Sequence, residues 1–109
     1  MTMQTPHRRP GFDLDVAVRV HASGRRTPIK SGYRPVTVIE VGGKRTLIGL
    51  GELLLEAPIQ PGSSSDGVLR FHKDVSDLVK SLLRPGSEVS FVEGERTVAF
   101  AEVIDIKQF

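Results

Sequence analysis

The chain has 109 residues, enough for one domain with a modest core and too few for two. It contains no cysteine, which excludes disulfide staples and thiolate metal sites and makes a cytoplasmic location the expectation. The formal charge is only +2 and unevenly spread, with nine Lys/Arg against three Asp/Glu through Arg45 and six against ten from Thr46 onward. Arg8 and Arg9 account for the whole excess, so electrostatics by itself does not specify a polyanionic partner.

Met1 to Gly11 is polar, holds no apolar run that could serve as a signal peptide or membrane span, and reads as a disordered tail ahead of a single domain over 12–109. Leu14, Val16, Val18 and Val20 alternate with polar or small residues, the period-two signature of a half-buried strand. Ala22 to Gly32 follows with two glycines, a proline and three basic residues but no acid, and reads as a long connection. The β-branched run Val36 to Val41, the pair Gly42-Gly43 and the apolar pattern Thr46 to Leu55 predict a hairpin. Pro58 to Gly67 reads as an exposed polar loop, and Val68 to His72 as a short strand.

One helix is predicted over Asp74 to Arg84, because Val75, Leu78, Val79, Leu82 and Leu83 recur at helical spacing, Asp74 can cap the start and Pro85-Gly86 ends the run. Two last strands, Glu88 to Val92 and Thr97 to Ile106, flank the turn at Glu93-Gly94-Glu95, with Val98, Phe100, Ile104 and Ile106 expected on one face. Six strands and one short inserted helix predict an all-β, small six-stranded antiparallel closed barrel, since closure removes the exposed edges of so many short strands.

Motifs for several chemistries are missing. Gly43-Lys44 is followed by Arg45, and position 38 is valine, so there is no phosphate-binding loop; Gly49-Leu50-Gly51 lacks a third glycine at Leu54 and reads as a bend. His7, His21 and His72 have no metal-ligand spacing. Ser63 to Ser65 lies in a turn-rich stretch without a nucleophile elbow, and Glu93 and Glu95 flank a turn. The expectation is a protein that is not an enzyme, with no cofactor, no metal, no nucleotide and no membrane. Gly-x-Arg-Thr occurs at Gly24, Gly43 and Gly94 with unequal spacing, either as recurring turn chemistry or as three arginines gathered at one end.

Two stretches carry a resemblance. Gly24-Arg25-Arg26-Thr27-Pro28 with Gly32-Tyr33-Arg34-Pro35 is similar to the Gly-Arg-His-Thr-Pro and Gly-Tyr-Arg-Pro segment of elongation factor Tu, domain three. Glu93-Gly94-Glu95-Arg96-Thr97-Val98 resembles that family's Glu-Gly-Gly-Arg-Thr-Val strand, and Asp66 to Phe71 is weakly similar to its acidic-Gly-Leu-Arg-Phe strand. In the family that strand runs almost directly into the Glu-Gly-Gly-Arg turn, whereas here the predicted helix intervenes.

The resemblance implies a six-stranded antiparallel barrel and contact with the T stem of aminoacyl-tRNA, at positions matching Arg25, Arg26, Glu93 and Gly94. The family's glutamine after Tyr-Arg-Pro is Val36 here, and its second turn glycine is Glu95, whose carboxylate repels phosphate. Lys30 and Arg34 complete the candidate set, although Tyr33 and Arg34 also suit an anchoring role, through a buried ring and a guanidinium forked onto a carboxylate or carbonyls. Two readings follow: a protein-interaction domain linked to translation, and a tRNA- or RNA-contacting module built on the basic loop 25–34.

Overall fold

The computed structural model describes residues 10–109. Seven strands, β1 (Phe12–His21), β2 (Val36–Val41), β3 (Lys44–Ile48), β4 (Gly51–Leu54), β5 (Ser64–His72), β6 (Glu88–Glu93) and β7 (Arg96–Gln108), accompany one helix, α1 (Lys73–Leu82). All pair antiparallel in one sheet of order β3-β2-β6-β7-β1-β5-β4. The disordered tail expected at the N-terminus falls largely on residues 1–9, outside the described residues. Gly11 is held in place, its carbonyl accepting from Lys73 N at 2.6 Å.

The six-stranded closed barrel expected from the sequence is corrected in two respects. The apolar run Thr46 to Leu55 is two strands, broken at Gly49-Leu50, where Leu50 takes a left-handed φ of 58°. The sheet is also not closed, because β3 and β4 stand at opposite ends of the strand order with no ladder between them. It is nevertheless curled. Seven strands laid flat would span about 29 Å, whereas the two-residue link from Ile48 to Gly51 reaches at most about 11 Å.

The inner face of the curl is the core. Leu14, Val16, Val18 and Val20 of β1 meet Leu69 and Phe71 of β5, together with Ile39, Ile48, Leu53, Val89 and Phe91. The serines expected in a loop belong to β5 from Ser64 onward, where Ser64 and Ser65 register with His21 and Val20. In β7 the expected face is redistributed: Ala99, Ala101 and Val103 are buried, while Phe100 and Ile104 are exposed. Two bulges are the cause. Val98 is an extra residue between the pairs Val92↔Thr97 and Phe91↔Ala99, and Ile104 is extra between Val18↔Val103 and Ala17↔Asp105, so the alternation changes phase twice.

Helix α1 closes part of the core. His72 caps it through Nδ1, which accepts from Asp74 N at 3.1 Å, displacing Asp74 from the expected role. At about 100° per residue, the buried arc centres on Val79, with Val75, Ser76, Leu82 and Leu83 inside about 60° of it and Leu78 about 100° away. Leu78 is accordingly exposed at 46%, whereas Leu83 is at 2%. Leu83→Ala should therefore destabilise the fold by about 2–5 kcal/mol in urea denaturation, while Leu78→Ala should cost less than about 1 kcal/mol. Equal losses would show that the helix is rotated from this register.

Candidate functional site

The long connection between β1 and β2 is not a free loop. Ile29 forms a reciprocal backbone pair with Ile59, at 2.9 and 2.8 Å, and its side chain is in the core. Further along, Gly32 N donates to Leu53 O at 2.8 Å and Leu53 N to Tyr33 O at 2.7 Å, so the segment lies along the outer edge of β4 and satisfies it. Earlier in the connection, Gly24 N donates to Val98 O at 3.0 Å, and the Arg96 guanidinium donates to Gly24 O. A Cβ at Gly24 would meet Thr97 O at 2.4 Å, so only glycine permits this approach.

Two of the three Gly-x-Arg-Thr segments therefore touch, at Gly24 and Arg96. The third does not join them. β2 and β6 run antiparallel with Val36 opposite Val92, which puts the Gly42-Gly43 turn and Arg45 at the other end of the sheet from Gly94.

Of the six candidate residues, Arg25 and Glu93 come together around Tyr33. The Tyr33 hydroxyl donates to Glu93 Oε2 at 2.6 Å, Arg25 Nε lies 3.5 Å from the same oxygen, and the Arg25 guanidinium covers the Tyr33 ring at 4.8 Å. Gly94 supplies the turn that presents Glu93, with a φ of 63° suited to the first central position of a two-residue hairpin. Burial of Tyr33, and after it the hydrogen bond and negative charge of Glu93, hold the phenol well above its ordinary 10.0, with Arg25 opposing.

Arg34 points elsewhere. Its Nε is 3.7 Å from Glu52 Oε2, a carboxylate buried in β4. The side chains of Arg26 and Lys30 are exposed and have no partner among the described residues. Lys30 and Arg25, with Thr27, Pro28, Ser31 and Tyr33, line an open cleft of about 570 Å³.

Glu52 and the pair Asp15–Arg70 are absent from the expected set. Arg70 Nε and Nη2 donate to the two oxygens of Asp15 at 2.8 and 3.2 Å, and Arg70 is held above its ordinary value by that hydrogen bond first, with Asp15 and Glu52 charges adding. The register Asp15↔Arg70↔Glu52 aligns these side chains on the outer face across β1, β5 and β4. Alternation marks each as outward-facing in its own strand, but only strand order reveals that they are neighbours. His21 Nδ1 and Ser64 Oγ are 2.5 Å apart on that face.

No family model matches the chain, and no curated protein matches it. Among the described residues, no helix is long and apolar enough to cross a membrane.

Tyr33 is the chain's one tyrosine and there is no tryptophan, so tyrosinate absorbance reports this site alone. With the folded value raised, the unfolded chain loses the proton first. The stability contributed by Tyr33 is therefore complete below pH 10 and declines as pH rises beyond it. A spectrophotometric titration of the native protein should show no tyrosinate at about pH 10, where the unfolded chain is half ionised. Glu93→Gln should move the native midpoint downward while leaving it above the unfolded one, because burial remains. An unchanged midpoint would remove Glu93 from the site.

Proposed function

We propose that the chain is a non-catalytic binding module whose partner is a protein, acting in translation as its resemblance to the third domain of elongation factor Tu suggests. The observation that supports this reading best is the internal pairing of the basic connection. Arg25 faces Glu93 and Arg34 faces Glu52, so only Arg26 and Lys30 of the four candidate cations have no partner among the described residues. Polyanion affinity grows with the number of cations free to displace counterions, and two are few. Exposed apolar side chains on the outer face, among them Val36, Leu47 and Phe100, suit protein contact better than phosphate.

The tRNA reading rests on Arg26, Lys30 and the cleft beside them, and it predicts a different salt dependence. Filter binding against a tRNA pool across several salt concentrations should give weak retention with a log–log slope no steeper than about −2. Arg26→Ala should flatten that slope by about one unit, whereas Arg25→Ala should leave it unchanged because Glu93 holds that charge. Tight tRNA binding at physiological salt, or a slope that depends on Arg25, would replace the protein-binding reading with the RNA one. A pull-down from cytosol should retain its protein partners after ribonuclease treatment.

A further inference from the structure

The two edges of the sheet are treated differently. β4 is sealed by Gly32 and Tyr33, while among the described residues β3 pairs with β2 alone. In the β2–β3 hairpin, Gly42 and Gly43 both have positive φ, 59° and 78°, and Val41↔Lys44 flanks the two-residue turn. That makes Val41↔Lys44, Ile39↔Thr46 and Thr37↔Ile48 the hydrogen-bonded pairs. The N–H and C=O groups of Arg45 and Leu47 therefore face away from β2, and they have no partner among the described residues.

The side chains of these two residues share the outer face. Leu47 is 61% exposed, beside Val38 in register and near the exposed Val36. The side chains of Lys44 and Arg45 are exposed and make no ion pair among the described residues. The edge thus offers two backbone donor–acceptor sets, two cations and an apolar side chain in one five-residue strand.

Resting on the protein-binding reading above, we propose that the open edge of β3 takes an extended segment of a partner protein as an added antiparallel strand, with an apolar residue beside Leu47 and acidic residues beside Arg45 and Lys44. Backbone pairing supplies the affinity and the side-chain pattern the choice of segment. A second copy of this chain is a poor occupant. Antiparallel β3–β3 pairing about Thr46 would put Arg45 beside Leu47 and Lys44 beside Ile48, satisfying neither charge and gathering four cations.

The test uses a fluorescein-labelled peptide, Thr-Thr-Ile-Thr-Glu-Glu-Thr, and its counterpart with lysine at both glutamate positions, followed by fluorescence anisotropy. Saturable binding of the acidic peptide, weakened roughly tenfold by Arg45→Glu, is expected, since an attractive cross-strand pair becomes a repulsive one. Leu47→Pro should abolish it with little change in melting temperature, because the Leu47 N–H takes no part in the β2 ladder. If Leu47→Pro does unfold the chain, slowed amide exchange at Arg45 and Leu47 of the wild type on adding peptide gives the same answer. Equal affinity for both peptides, no protection at those two amides, or a concentration-dependent dimer abolished by Leu47→Pro would overturn the proposal. Ribonuclease-resistant capture of a protein by a Leu47→Pro variant would refute the edge while leaving the protein-binding module intact, whereas no capture by the wild type would refute the module itself.

Discussion

A two-residue link constrains this fold more than any other feature. Gly49 and Leu50 carry the chain from one outer strand of the sheet to the opposite outer strand, so the sheet has to bend round until its ends approach. That bend gives the inner face its concavity, and the concavity is what lets side chains from seven short strands converge on one core. Leu50 adopts its left-handed conformation at this point, and His72 N donates to its carbonyl at 3.1 Å, tying the link to the start of the helix. Burial on the inner face is what offsets the strain of a non-glycine residue there.

The curled sheet leaves a gap beside β4, and the connection from β1 to β2 fills it. Its backbone bonds to β4, to the segment around Ile59 and to the start of β7, so a stretch rich in basic residues is held on three sides. Fixing the backbone fixes where the charges go. Glu93 gathers Arg25 and Tyr33 on one oxygen, and Glu52 faces Arg34, so the same geometry that orders the connection removes half of its candidate cations from use elsewhere. In the three-way contact of carboxylate, phenol and guanidinium, Arg25 covers one face of the Tyr33 ring and Glu93 accepts the hydrogen bond of its hydroxyl, while the ring packs against the core.

Local alternation and turn chemistry made most strands legible. β1, the Gly42-Gly43 hairpin and the Glu93 turn follow from period two and from the positions of glycine, and the helix follows from its own spacing. What failed were features set by partners distant in the chain. Ser64 and Ser65 are strand residues because β1 offers them a ladder, against their own preference for turns. Leu78 looked core-facing because it is apolar, yet the arc of the helix is decided by what lies beneath Val79. The candidate cations were visible as a loop without acids, but the acids that neutralise two of them stand 68 and 18 positions further on, at Glu93 for Arg25 and Glu52 for Arg34. Nothing local announces those encounters.

The bulge at Ile104 has a bearing on how this strand tolerates changes in length. In the regularly paired stretches of β7, losing one residue would turn the inward set outward and empty the core beneath it. At Ile104 it would not. Val103 and Ile106 lie on the inner side of the two flanking stretches, with Ile104 and Asp105 both exposed between them. Removing Ile104 would join those stretches in a single unbroken alternation, with Val103 still opposite Val18 and Asp105 still opposite Ala17. The strand thus carries a residue of slack at this bulge, and a register that is rigid between its bulges has here a place outside the core where a deletion is absorbed without exchanging its two faces.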